Sequence, residues 1–458
     1  MSKLVIKGGT CVTAEARLRQ DVLVENGVIV ALDQDIQIVD AEIIDANGLF
    51  VLPGGVDVHV HLPWPKGQYI SLDDINQGTK AAAFGGVTTI IDFVIPDEQE
   101  PLADALERKL NEAQNNAWVD YSFHLNIRGA VDKKIAEIPE MVTLGFPSFK
   151  VFMAYEGFRI EDVELLNIMQ AVQAAGGMLD VHAENGLIAD RITAQLIEKG
   201  RIAPTYYAMA RPEICETEAI QRVLAYAQVY GTRIHIHHVS TAAGAELIGR
   251  SRQKGMPVTG ETCPHYLLLN ADSHGGDQQM AAFMICAPSI KGSENQEALW
   301  HSLADDSLSI LATDHCPYSK QQKLENLGNF STIPGGIGGV ELRLPLIFSE
   351  GVRKGRLSFE RFVNLWATAP AKTFGLYPRK GQIAIGSDAD LVLFDSAQNW
   401  TIRAESLHMN TDCLPYEGWQ IIGKPVMTIL RGKVLVGQNQ LVCDKPDGQL
   451  IRRFLGAQ

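Results

Sequence analysis

The 458 residues contain no CxxC pair, no apolar run long enough to cross a bilayer and no excess of positive charge. The seven cysteines, Cys11, Cys215, Cys263, Cys286, Cys316, Cys413 and Cys443, are odd in number and widely scattered, which excludes a disulfide framework and a structural zinc knuckle. Lys+Arg 40 against Asp+Glu 54 gives a formal charge of −14, and such a surface repels phosphate backbones and acidic headgroups. Neither nucleic acid nor a membrane is expected as a partner. The opening stretch, residues 1–9, lacks a basic segment followed by an apolar run of signal length, so a cytoplasmic location is expected. No internal repeat or low-complexity tract interrupts the chain.

The length suits one large barrel with a smaller appendage. The first fifty residues alternate apolar and polar positions in short runs at 4–7, 21–25 and 28–32, and Asn26-Gly27 between the last two predicts a tight hairpin. Strand signals return at 389–394 and 426–436. The two ends are therefore expected to pair into one small β-sandwich domain, residues 1–52 and 380–458. Between them, over 53–379, short apolar strands alternate with helical patterns such as 163–175 and 216–230, which predicts an α/β fold with its parallel sheet closed into a (β/α)8 TIM barrel. About eight strand candidates can be counted: 56–61, 87–92, 121–125, 149–153, 178–182, 233–238, 257–261 and 309–314.

His59 and His61 sit two apart in an apolar strand, so both imidazoles face one side and form a chelating pair. A hydrogen-bonded pair of core histidines has the same pattern; placement separates the two. The run ends a strand and is followed by Leu62-Pro63-Trp64-Pro65, a rigid loop at the C-terminal mouth, where catalytic groups of such barrels gather. Lys150, His182, His238 and Asp314 recur at the ends of other strand candidates. Each alone also reads as a solvated charge, a core histidine or a helix cap, but five strand ends converging on one mouth point to a site. Imidazole and carboxylate ligands suit zinc or a similar divalent ion. In the sixth strand, spacing does not choose among His235, His237 and His238, because His238 has the opposite parity to the other two.

Pro53-Gly54-Gly55-Val56-Asp57-Val58-His59-Val60-His61, Ser148-Phe149-Lys150-Val151-Phe152-Met153-Ala154-Tyr155 and Val181-His182-Ala183-Glu184-Asn185 are joined by His238-Val239-Ser240-Thr241, Glu261-Thr262-Cys263-Pro264-His265-Tyr266 and Ala312-Thr313-Asp314-His315-Cys316. Together, in this order, they resemble the hydantoinase and dihydropyrimidinase branch of the amidohydrolase superfamily. The resemblance extends to Gly386-Ser387-Asp388-Ala389-Asp390-Leu391 and Tyr416-Glu417-Gly418-Trp419.

That resemblance implies two divalent ions, zinc by expectation: His59, His61 and Asp314 on one, His182 and His238 on the other, and Lys150 bridging them. His238 is chosen because it matches the family's His-Val/Leu-Ser pattern. A plain ammonium between two dications would be repelled, so Lys150 is expected as the carbamate, N6-carboxylysine. The implied reaction opens the cyclic amide or imide of hydantoins or dihydropyrimidines to N-carbamoyl amino acids with a metal-bridged hydroxide. Tyr155 would stabilise the oxyanion and Asp314 would shuttle the proton.

Main-chain groups at Ala287 and Gly335 are expected to grip the ring, although the family more often has Ser and Asn there. Trp64, Phe158 and Ile160 are expected to offer apolar surface to its substituent. Dihydroorotase relatives generally carry an arginine where this chain has Pro63. Allantoinase-like enzymes share the ligands but generally lack a tyrosine matching Tyr155, and noncatalytic scaffold relatives have lost ligands that are all present here. The resemblance also implies a homotetramer.

Overall fold

The computed structural model describes residues 3–66 and 68–456. Gly67, inside the loop after the His59–His61 run, and the outermost residues of the expected small domain, 1–2 and 457–458, lie outside the described residues.

Eight parallel strands hydrogen-bond in chain order: β1 Gly55–Asp57, β2 Val87–Val94, β3 Asp120–Asn126, β4 Ser148–Phe152, β5 Met178–His182, β6 Ile234–Ile236, β7 Val258–Thr262 and β8 Ile310–Leu311. The ring closes beyond the ends of β1 and β8, where Val60 bridges His315 and the His61 N–H donates to the His315 carbonyl at 2.9 Å. Parallel neighbours need long crossovers, and helices supply them on the outer face. Helix Asp162–Ala174 buries Leu165, Ile168, Met169 and Val172, spaced by three and four, and begins with a reciprocal capping box between Glu161 and Glu164. Helix Glu213–Tyr230 ends on Gly231, whose φ of 67° supplies the left-handed cap.

The barrel interior is polar. Asp57, His124, Lys150, Asp180, His235 and Glu261 are each at most 1% exposed. Charges at that depth are tolerable only with partners. His124 Nδ1 lies 2.7 Å from Asp180 Oδ2, and Arg453, close to the end of the described chain, enters at the end where the strands begin. Its guanidinium donates to Ser122 Oγ at 2.8 Å, Ser148 Oγ at 2.7 Å and the Phe123 carbonyl at 2.6 Å.

The N-terminal segment supplies a four-stranded sheet, and both ends of the chain share a seven-stranded one in which Phe50–Pro53 runs antiparallel to Leu391–Thr401. Leu4, Val22, Ile29, Val51, Leu391 and Ile429 pack together as the apolar core of this domain. Asn26 (φ 51°) and Gly27 (φ 84°) form the expected hairpin turn. Residues 426–436 do not continue as one strand: Arg431 (φ 45°) and Gly432 (φ 72°) turn the chain between Gln420–Leu430 and Lys433–Gly437. Lys380 ties this region to the barrel through Asp120 of β3 at 2.6 Å and Asp388 and Asp390 at 2.9 and 2.6 Å.

Candidate active site

β1, β6 and β8 stop short of the expected 56–61, 233–238 and 309–314, and the lost residues are those predicted to carry chemistry. His238 and Asp314 have positive φ, 39° and 49°, and so does Tyr155 just beyond β4, at 68°. A left-handed backbone at a non-glycine residue costs about 1–3 kcal/mol and persists only where the surroundings hold it. Asp314 is held from both sides. Thr313 Oγ1 donates to Asp57 Oδ2 at 2.7 Å, and His315 Nε2 lies 2.9 Å from Asp73 Oδ2. The turn at His238 also resolves the parity question, because breaking the period of two lets both His237 and His238 face inward. His237 meets Glu261, whereas His238 Nε2 lies 2.8 Å from His182 Nδ1.

A cavity of about 360 Å³ opens at this mouth, lined by His59, His61, Lys150, Tyr155, His182, His238, Ala287, Asp314 and Gly335. Every residue predicted as a metal ligand, a catalytic group or a grip on the ring thus borders one space. His59 Nε2 and His61 Nε2 each lie 3.1 Å from Asp314 Oδ1, a group able to hold one ion. The His182–His238 pair adjoins it, with the His59 and His238 ring centroids 5.3 Å apart.

The electrostatics divide the imidazoles: burial alone would lower His59, but Glu261 and Asp314 raise it to about 9, whereas burial prevails at the others. Burial pushes His182 down to about 4 and lowers His61 and His238 as well. Burial alone would raise Asp314, but His59 and His61 override it and hold its carboxyl well below the usual range. Among the described residues, His59 Nε2, His61 Nδ1, His238 Nδ1 and Lys150 Nζ are buried without a hydrogen-bond partner. Leaving such groups unsatisfied costs about 1–3 kcal/mol each, and the two Nε2 atoms of His59 and His61 that face the Asp314 carboxylate are a donor set that fits a shared cation. Burial also lowers Lys150 to about 8, so part of it is neutral amine at physiological pH.

Trp64 lines the cavity as expected; Phe158 and Ile160 do not. Phe158 packs behind Trp64, 5.4 Å between centroids, and Ile160 is drawn into the core because its N–H bonds the Phe152 carbonyl. The sequence reading did not place Arg211, Tyr207, Phe330 or Ile333 at the cavity, and all four line it. Arg211 Nη1 lies 2.5 Å from Glu184 Oε2, and its guanidinium sits 5.4 Å from the Tyr155 ring centroid. Glu184 stood in a motif already quoted, but nothing in the run around Arg211 signals a cavity wall. Gly336, beside Gly335, has φ 157°, and a Cβ there would meet the Cys316 carbonyl, whereas one on Gly335 would find nothing nearer than 3.7 Å.

The amidohydrolase family matches residues 50–435. A D-hydantoinase of Geobacillus stearothermophilus is 41% identical over 456 residues, spanning 99% of this chain and 97% of that protein. A D-phenylhydantoinase of Escherichia coli O1:K1 / APEC is 38% identical over 455 residues, 98% of each chain. The crystal structure of a dihydropyrimidinase from Brevibacillus agri superposes with a TM-score of 0.97 at 38% identity, covering 100% of both chains. The family is metal-dependent, in keeping with the grouping of His59, His61 and Asp314. The chain belongs to the amidohydrolase family, in the branch of the hydantoinases and dihydropyrimidinases.

Proposed function

We propose that this protein hydrolyses the ring amide or imide of hydantoins or dihydropyrimidines to N-carbamoyl amino acids. The observation that carries the reading is the convergence of His59, His61, Lys150, His182, His238 and Asp314 on one cavity that also contains Tyr155. In this reading His59, His61 and Asp314 would hold one zinc ion, His182 and His238 would hold the other, and Lys150, as N6-carboxylysine, would supply a ligand oxygen to each. The unpartnered Nζ and its lowered pKa support the last point, since carbon dioxide is attacked by the neutral amine. When bound, the two ions supply Lewis acidity and a hydroxide at neutral pH.

The chain's own groups do the rest. The ring lies against main chain at Ala287 and Gly335, with Trp64 beside its substituent. The Tyr155 phenol, pushed well above 10 by burial, stays protonated and donates to the carbonyl oxygen as charge develops there. Asp314, ionised, accepts the nucleophile's proton and passes it to the departing ring nitrogen. The small domain at 1–52 and 380–458, the barrel at 53–379, a homotetramer and a cytoplasmic setting belong to the same proposal. Among the described residues no helix is long and apolar enough to cross a membrane.

A panel of hydantoin, 5-substituted hydantoins, dihydrouracil, allantoin and dihydroorotate on metal-replete protein tests it. Turnover of hydantoins or dihydrouracil is the expected result. Turnover of dihydroorotate or allantoin alone would overturn the substrate assignment, and no metal uptake at all would overturn the reading.

A further inference from the structure

Beneath His59 lies Glu261, at the end of β7 and fully buried. It faces four nitrogens. His59 Nδ1 is in short contact with Oε1, His237 Nδ1 lies 2.8 Å from the same oxygen, and the His238 backbone N–H donates to it at 3.3 Å. His235 Nε2 lies 3.1 Å from Oε2. His235 is in turn anchored, its Nδ1 being 2.8 Å from the hydroxyl of Thr259, two residues before Glu261 on the same strand.

An ionised carboxylate can only accept, so each nitrogen facing it carries hydrogen. For His59 this selects the tautomer with hydrogen on Nδ1, and a neutral ring then has its lone pair on Nε2. That nitrogen lies 3.1 Å from the Asp314 carboxylate, so it is the one that can exchange its hydrogen for a cation, while Glu261 keeps the hydrogen on Nδ1. His237 is set the same way, but it does not line the cavity. Three imidazoles and one amide thereby share a single buried negative charge, and the ring of His59 cannot rotate without leaving that charge short of a donor.

We propose that Glu261 is the positioning residue of the metal centre: it fixes the tautomer and ring orientation of His59, while His235 and His237 hold Glu261 in place and bind no ion. The inference rests on the reading of His59 as a metal ligand given above. Removal of outer carboxylates that orient ligating histidines weakens metal affinity by about 10–100-fold.

The test is a titration of chelator-stripped protein with Co2+ against a chromophoric competitor, reading the number of ions, each dissociation constant and the visible spectrum of the bound cobalt. Thermal unfolding of the stripped form checks the fold. Glu261→Gln is expected to bind the parental number of ions at saturation, with one dissociation constant raised about 10–100-fold and an altered cobalt spectrum. Should Glu261→Gln not fold, Glu261→Asp keeps the charge but falls short of His59, and the same weakening is expected. His237→Asn, whose amide N–H can replace the Nδ1–H, is expected to keep parental affinity for both ions.

Parental affinity in both Glu261 variants would overturn the proposal. So would loss of one ion even at saturating Co2+, which would make Glu261 itself a ligand, or loss of an ion in His237→Asn, which would make His237 one. A parent protein that takes up no Co2+ would instead refute the metal-centre reading on which the proposal stands.

Discussion

Tyr155→Phe isolates one hydroxyl. The ring stands 5.1 Å from that of His182 and 6.0 Å from that of Phe152, contacts that phenylalanine retains, and the positive φ at this position is unaffected by the exchange. Folding stability is therefore expected to change by about 1 kcal/mol or less, the net worth of one hydrogen bond. If the phenol donates to the carbonyl oxygen as it becomes an anion, its removal should cost about 2.7–4 kcal/mol in the transition state, a fall of about 10²–10³-fold in kcat. KM should move little, because the bond strengthens only as charge develops.

The assay is initial-rate hydrolysis of hydantoin and dihydrouracil at saturation, with metal content measured on the same sample. A kcat within twofold of the parent at equal metal content would refute the role. The pH profile adds a second check. Burial holds the phenol well above 10, so the donor is present throughout pH 6–9 and the variant should keep the parental profile at lower height. An alkaline limb that vanished with the hydroxyl would mean that Tyr155 acts by ionising.

Lys150→Ala should lose metal and activity together, with partial recovery in short carboxylic acids that can stand in for the carbamate, as followed by metal analysis and turnover; full activity without additive would remove the bridging role. Lys380→Met removes the buried cation shared by Asp120, Asp388 and Asp390. Asp120 keeps Arg431 and Asp388 keeps Arg379, so Asp390 is the carboxylate left without an ion-pair partner, and the change should destabilise the protein by about 3–5 kcal/mol in chemical denaturation at pH 7. Burial alone would lower Lys380, but Asp390 and Asp120 raise it, so its contribution is complete below the unfolded lysine value of about 10.4 and is lost only as pH rises through the higher folded value. Burial already raises Asp390 and Lys380 opposes it, so in the variant this carboxylate should bind a proton more tightly folded than unfolded, and stability should rise as pH falls from 7 towards 5; a gap between variant and parent that widens on acidification would contradict this.

Residue order along the chain determined the fold class, because alternating strand and helix periods leave a parallel sheet covered by helices as the way to bury both, and eight such strands suit its closure into a barrel. It also brought together the candidate ligands: strand-end residues of a parallel barrel share one mouth, so His59, His61, Lys150, His182, His238 and Asp314 could be gathered from their places at strand ends and from their motifs, and all six line one cavity. Only the tertiary structure decided the inward turn of His238. A two-residue period places it opposite His237, and the positive φ that overrides the period survives through contacts from other strands. The same holds for Arg211 and Tyr207 in the cavity wall and for Glu261 beneath His59. Ligand chemistry is written in residue type and local position, whereas a side chain's hydrogen-bond partner is set by what distant segments bring within about 3 Å of it, and no local pattern encodes that distance.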